Sequence, residues 1–310
     1  MKVVVTGGAG FIGSHLAHSY VDRGSEVIVV DDLSTGRREN VPDGASLVVT
    51  DLNDPRLAEV LDGADLVLHQ AASRAVQRSV DDPLATDLSN THGTLSLLVA
   101  SRQAGVGRVV VASSSSLYGG VAPRPTPESA PLTPKSPYAV SKLAAEQYTR
   151  VFAEVYGLET VALRYFNVFG PRQDPEGPYA AVIPRFIEAV AARRAPVIHG
   201  DGLQTRDFTF VEDVVRANEL AAAADAKAVS GRTYNIACGQ EHSLLDVLED
   251  VYEILGRRVG PEHAAPRIGD VRASRADIAA AGADLGFRPA VSFRTGLERT
   301  VDWMRREGVI

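Results

Sequence analysis

Three observations predict an α/β protein with a Rossmann-type, doubly wound parallel sheet and a smaller C-terminal α/β lobe. Short β-branched runs alternate with helix-like stretches through the first half of the chain. A glycine-rich turn directly follows the first of these runs. After residue 166 the rhythm shifts to a proline- and glycine-bearing loop followed by shorter elements. Buried-looking strands that alternate with helices read as βαβ units, whose crossover helices cover both faces of a parallel sheet.

Taken in order, residues 3–6, 26–30, 47–49, 66–69 and 108–112 are brief Val- or Leu-rich runs bounded by Gly, Asp or Ser, and each predicts a strand. Residues 11–23, 55–62 and 84–104 have helical spacing between them. A helix over 138–156 leads to a sixth strand at 161–164. The division falls at residue 166: 1–166 is expected to bind a dinucleotide, and 167–310 to form a substrate lobe whose chain crosses back to the first. In that lobe the spacing predicts helices near 183–194 and 293–306.

Length and composition describe a globular chain: 310 residues, 45% apolar, 23% charged, net charge −7. A single cysteine, Cys238, excludes an intramolecular disulfide framework and a thiolate zinc cluster. The acidic balance argues against a nucleic-acid partner, which requires a basic face. With no apolar run of about 18 residues and no room before the first strand for a signal segment, no membrane partner is expected and a cytoplasmic location is. Of the 32 basic residues only Lys2, Lys135, Lys142 and Lys227 are lysines. A lysine placed where chemistry can use it is therefore informative.

The turn after the first strand reads Gly7-Gly8-Ala9-Gly10-Phe11-Ile12-Gly13. Between a strand and a helix this pattern suits a dinucleotide: Gly7 for the tight turn, Gly10 for close approach of the pyrophosphate, Gly13 for helix–sheet packing. Exposed N–H groups at the helix start then receive phosphate. Asp31 ends the second strand, where a carboxylate accepts from an adenosine ribose and repels a 2′-phosphate. Asp32 beside it favours NAD over NADP further, although Arg37 and Arg38 lie just beyond the turn. Asp51-Leu52 closes the third strand where the adenine is expected.

Tyr138-Ala139-Val140-Ser141-Lys142 sets a tyrosine and a lysine on one helical face. A free phenol titrates near pH ~10, and a neighbouring ammonium with a cationic nicotinamide lowers it towards working pH. The fifth strand runs into Ser113-Ser114-Ser115-Ser116, at the end of the sheet that faces a ligand crevice. Ser114 is the candidate to share the proton that passes between substrate and Tyr138. Candidate catalytic residues are thus Ser114, Tyr138 and Lys142.

The combination of Gly7 to Gly13, Ser114, Tyr138 and Lys142 resembles the extended short-chain dehydrogenase/reductase family, and within it the UDP-sugar 4-epimerases. The segments Arg164 to Pro175 and Tyr179 to Pro184 are similar to the UDP-N-acetylglucosamine 4-epimerase branch. The resemblance implies NAD as cofactor and a UDP-hexose (UDP-glucose or UDP-N-acetylglucosamine) as substrate. Inversion at C4 would proceed through a transient 4-keto sugar, with NAD staying bound between turnovers. It places Gly7, Gly10, Phe11, Ile12, Gly13, Ala71, Asn90 and Phe166 against the cofactor, with Tyr138 and Lys142. Asn167, Gln173, Ala181 and Val182 fall on the UDP, and Arg206 and Arg267 on its pyrophosphate, with Asp270 in the same segment. Arg74, Ser115, Ser116 and Ser274 fall near the sugar. Relatives that dehydrate or decarboxylate carry acids where Ser115 and Ser116 stand, which argues for epimerisation without elimination.

Ser274 at the position that resembles a size gate leaves room for an acetamido group, whereas Arg74 stands where glucose-type relatives carry a lysine. The two hexoses therefore remain level. A uronate is disfavoured by Asn167 and by Asp174, an acid where uronate relatives carry an arginine. The alternative class is an NAD-binding sensor, against which the retained Ser114, Tyr138 and Lys142 speak. Relatives of this kind dimerise through two helices per subunit, so a homodimer through 84–104 and 138–156 is expected. The scattered histidines predict no metal site, and His69 is expected to pack beneath the cofactor.

Overall fold

The computed structural model describes residues 1–74, 76–175, 180–266 and 271–310. Among them, seven parallel strands form the central sheet: β1 (Lys2–Thr6), β2 (Glu26–Asp31), β3 (Ala45–Val49), β4 (Leu66–His69), β5 (Arg108–Ser114), β6 (Glu159–Tyr165) and β7 (Arg232–Ile236). Their order is β7-β6-β5-β4-β1-β2-β3. The chain winds outward from β1 in both directions, and Thr6 at its end pairs with Val30 on one side and His69 on the other. The carboxyl ends of β1, β2 and β4 thus meet at a topological switch point, where doubly wound sheets leave a crevice.

The sequence reading counted six strands; the seventh, β7, comes from beyond residue 166 and pairs with β6 from Arg232 to Ile236. Two helical layers cover the sheet. Val3, Val5, Val27 and Val29 point to one face, against α1 (Phe11–Asp22) and residues of a later helix, Val211–Ala223. Val4, Val30, Val67 and Val109 point to the other, against helix Gly93–Gln103 and Phe152 of helix Pro137–Tyr156. Alternate valines on each strand serve opposite layers, so these strands read as continuous apolar runs.

In chain order after α1 we label these helices α2 (Gly93–Gln103), α3 (Pro137–Tyr156), α4 (Val182–Ala191), α5 (Val211–Ala223), α6 (Leu244–Leu255) and α7 (Phe293–Arg306). Arg108 at the start of β5 donates to the carbonyls of Ala221, Ala222 and Ala224, and to Glu159 of β6. It satisfies the open carbonyls at the end of α5 and ties that helix to the sheet. A second core gathers Phe169, Phe186, Phe208, Phe210 and Phe293 with the apolar faces of α4, α6 and α7.

Three helical expectations shift. The stretch 55–62 narrows to a single turn, Leu57–Val60. The predicted α4 stops at Ala191 because Arg193 takes a left-handed φ of 58°. The long helix over 84–104 is built of Pro83–Asp87, one wide π-type turn Leu88–His92, and α2. That wide turn carries Asn90, and such insertions often serve to re-aim a side chain at a site.

Candidate active site

A cavity of about 790 Å³ opens at the switch point. Its floor is the glycine turn. Gly7 has φ 67°, and a Cβ on it would lie 2.6 Å from the Ala71 amide nitrogen; a Cβ on Gly13 would lie 2.1 Å from the Gly7 carbonyl oxygen. A side chain at either position would strike backbone and force the turn open, and the tight turn that both glycines permit is the one a dinucleotide needs, so the residues present fit a dinucleotide. Gly10, Phe11 and Ile12 line the same cavity.

Asp31, buried, accepts from the Ala9 amide (3.0 Å) and the Leu33 amide (2.9 Å), one on each oxygen. It braces the turn while facing the cavity, and burial raises its carboxyl above the usual range. Asp32 is taken up by the amide and hydroxyl of Ser34. Asp51, Leu52 and Ala71 complete this side of the lining.

Asn90 and Phe166 do not line the cavity. Asn90 is buried; its Oδ1 accepts from the Ser73 amide (2.7 Å) and its Nδ2 donates to the Ser73 carbonyl (3.0 Å) and Ser141 Oγ (3.0 Å). It therefore holds the segment leading to Arg74 against α3. Phe166 is buried against Tyr118, Ala130, Ala237 and Ala276. A planar ring in that apolar cluster supports the wall from behind.

Tyr138 sits in the first turn of α3, which Pro137 opens and Ser136 caps by accepting from the Ala139 amide at 3.1 Å. It is half-buried, lines the cavity and shares a hydrogen bond with Ser114. Burial raises the phenol above its ordinary value, while the Ser114 hydrogen bond and the positive charge of Arg74 lower it. Lys142, one helical turn on, is buried and donates from Nζ to the Ala112 carbonyl at 2.9 Å. Burial brings its ammonium down to about 8. The sequence reading gave Lys142 the task of depressing the phenol; in the structure Arg74, exposed at the cavity mouth, is a further cation whose charge lowers it.

The position of α3 depends on a buried ion pair one turn beyond Lys142. Glu146 accepts from Arg164 of β6 (Nη2 2.5 Å, Nε 2.9 Å) and from Ser113 of β5 (2.7 Å). The helix that carries Tyr138 and Lys142 is thereby bolted to the two strands whose ends carry Ser114 and Tyr165.

Of the expected substrate residues, Arg74 lines this cavity, and the others among the described residues do not. Asn167, with φ 32°, donates to the Asp207 carbonyl at 2.9 Å. Arg206 Nη1 and the Ser274 amide both donate to the Thr205 carbonyl, at 2.7 and 3.2 Å. Segment 205–207 thus draws Asn167, Arg206 and Ser274 together. Ala181 caps the start of α4 and Val182 opens it. Ser115 and Ser116 lie half-buried in the turn after β5. Gln173 is buried, and its Nε2 is turned back to the Val168 carbonyl, bracing its own loop. Arg267, Asp270 and Tyr179 lie outside the described residues.

One set was missed by sequence reasoning. The Asp207 carboxylate gathers the amides of Cys238, Gly239 and Ala276; the segments it joins are far apart in the chain, so spacing carries no sign of it. His69 was expected to pack beneath the cofactor, and it is buried between Thr6 (2.7 Å) and Thr94 (2.9 Å). Burial pushes the ring down to about 3, so it is neutral. The Thr94 hydroxyl proton goes to the Asn90 carbonyl at 2.6 Å, which leaves Nε2–H as the imidazole donor and Nδ1 as acceptor. Among the described residues no group of three or more His, Cys, Asp or Glu side chains is placed to hold a metal, and no helix is long and apolar enough to cross a membrane.

Fold and cavity together define a doubly wound α/β protein that takes a dinucleotide across the carboxyl ends of its strands. The profile of the NAD dependent epimerase/dehydratase family matches residues 3–237. The chain belongs to that family, and NAD is its cofactor. It is 39% identical over 315 residues to a UDP-glucose 4-epimerase of Mycolicibacterium smegmatis, with 99% of each chain covered. Among solved structures it is similar to a UDP-glucose 4-epimerase of Thermotoga maritima with UDP-glucose, at a TM-score of 0.95 and 38% identity over 99% of each chain. It is equally similar to a UDP-N-acetylglucosamine 4-epimerase from Methanobrevibacter ruminantium in complex with UDP-N-acetylmuramic acid, at 0.94 and 38%, covering 99% of this chain and 98% of that one.

Proposed function

We propose that this protein is a UDP-hexose 4-epimerase acting on UDP-glucose/UDP-galactose, on UDP-N-acetylglucosamine/UDP-N-acetylgalactosamine, or on both. The observation that carries this reading is Tyr138, a cavity-lining phenol hydrogen-bonded to Ser114 one helical turn before the buried ammonium of Lys142. NAD, when bound, supplies the acceptor for the hydride leaving C4 and then its donor to the opposite face. Tyr138 as phenolate takes the proton of the 4-hydroxyl, Ser114 stabilises the phenolate by donating to it, and Lys142 and Arg74 provide positive charge. Returning the proton from Tyr138 after the flat 4-keto sugar has turned over completes the inversion, so no net oxidation occurs.

Residues 1–166 serve the dinucleotide and 167–310 the UDP-sugar in this reading, with 211–236 crossing back. Arg206 and Arg267 meet the UDP pyrophosphate, since a guanidinium fork matches phosphate oxygens. Ser274, small and with a buried Oγ that has no partner among the described residues, supports the acetamido sugar. Asp174, an acid lining the cavity, disfavours a uronate. Leu84, Leu88 and Val99 beside Val140, Val151 and Val155 of α3 are exposed apolar side chains and support a homodimer through these helices; sedimentation of L84D as monomer and native protein as dimer is the expected result.

Product analysis with UDP-glucose, UDP-N-acetylglucosamine and UDP-glucuronate in parallel, without added cofactor, tests the reading. The C4 epimer of one or both neutral hexoses is expected. Failure on all three refutes it.

A further inference from the structure

The chain leaving the second core crosses back over the glycine turn as a strap, residues 171–175. It is fastened on both sides of that turn. The Pro171 carbonyl accepts from His15 Nε2 on α1 at 2.9 Å. The Asp174 carboxylate meets the Arg37 guanidinium at 3.3 Å, and the Arg37 amide in turn donates to the Ala9 carbonyl inside the glycine turn at 2.9 Å. Gln173 faces inward to the Val168 carbonyl. Between these anchors stands Arg172, which lines the cavity.

Arg172 Nη1 is buried and has no hydrogen-bond partner among the described residues. A guanidinium N–H shut away from water without an acceptor is costly, and the residue also holds a left-handed φ of 65°. Structures keep such an arrangement where a ligand completes it. Beside it His15 is held down to about 4 by burial, with the Arg172 charge acting in the same direction, so the ring is neutral, and the Glu307 carboxylate that lines the same cavity acts on Arg172 through its charge. A planar guanidinium with one buried N–H left without an acceptor among the described residues, opening on a nucleotide cavity, suits phosphate oxygens.

We propose that Arg172 is a ligand for a diphosphate, that of the NAD bound over the glycine turn, and that the Arg37–Asp174 contact latches the strap closed over it. This rests on the NAD dependence of the family and not on the identity of the sugar. The substrate offers the same chemistry in its own diphosphate; the cavity Arg172 lines is the one floored by Gly7, Gly10 and Gly13, which selects the cofactor.

The test uses the full chain freed of nucleotide, with ADP-ribose and UDP as separate probes in titration calorimetry and NAD exchange followed by release of labelled cofactor. R172M is expected to weaken ADP-ribose by about 10–100-fold, the loss of one charge-assisted contact, while UDP affinity stays within about twofold. R172K, which keeps the charge but loses the fork, falls between. R37M accelerates NAD exchange several-fold with the strap unlatched. Native-like ADP-ribose affinity in both R172M and R172K overturns the assignment of Arg172, as does a loss confined to UDP. A native chain that binds neither NAD nor ADP-ribose overturns it together with the dinucleotide reading.

Discussion

Ser116 gives both its donors to one atom: its amide and its hydroxyl reach Ser114 Oγ at 3.2 and 2.9 Å. With both acceptor positions of Ser114 occupied, its own proton is left to point towards Tyr138, the partner with which it shares a hydrogen bond. The turn after β5 therefore orients the hydroxyl proposed to assist Tyr138.

Replacing Ser116 by alanine removes the hydroxyl donor and keeps the amide. One neutral hydrogen bond is worth about 1 kcal/mol, so kcat should fall roughly 3–10-fold and the acidic limb of the kcat–pH profile should move upward as the phenolate loses support. An unchanged profile would show that Ser116 does not orient Ser114.

Tyr138→Phe removes the proton acceptor and leaves the ring. A loss of about 10²–10⁴ in kcat is expected, with NAD content, measured after denaturing release, equal to that of native protein. Turnover surviving at native level would sink the proton-transfer role.

Lys142 offers a pH test with a definite sign. Its ammonium titrates near 8 when folded against a reference of 10.5, so between those values the unfolded chain holds a proton that the folded chain has shed. By linkage, this group's contribution to stability grows as pH rises through that window. Native protein should therefore gain stability relative to K142M between pH 8 and 10 in urea titrations; parallel curves would contradict it.

Arg164→Met strands the Glu146 carboxylate in the interior. Removing one member of a buried pair costs about 3–5 kcal/mol, and because Glu146 anchors α3 beside Lys142, activity should fall before the transition midpoint is reached. Thermal melts read beside activity at each temperature check this.

Gly13→Ala places a Cβ where the Gly7 carbonyl oxygen stands, at 2.1 Å. The turn must open, and the protein is expected to lose NAD and several degrees of melting temperature together. Gly24→Ala, where nothing lies within 4 Å but φ is 75°, should lower stability by about 1 kcal/mol and keep its NAD.

Much of the cofactor side was legible in the chain because its signals are local. Strand, glycine turn and helix are contiguous from Lys2 to Asp22, and Asp31 follows one strand later. Tyr138 and Lys142 share a helical face whatever surrounds them. The substrate side was less legible because Asn167, Arg206 and Ser274 meet only through segment 205–207. Asn90 owes its aim to a wide turn inside a stretch that spacing reads as plain helix, and Gln173 turns inward because the Val168 carbonyl needs a donor there.

The opening expectation of a doubly wound sheet followed from valine-rich runs and one glycine turn, since burial on two faces and close phosphate approach each leave a mark within a few residues. Long-range partners leave no such mark. That β7 returns from beyond residue 166 to finish the sheet, that Arg74 adds its charge to the phenol's surroundings, and that Arg172 is strapped over the cavity with a buried nitrogen lacking an acceptor among the described residues all depend on which distant segments pack together. Hydrogen bonds and charges act over a few ångströms of space, and the distance along the chain between Arg37 and Asp174 says nothing of the 3.3 Å between their side chains.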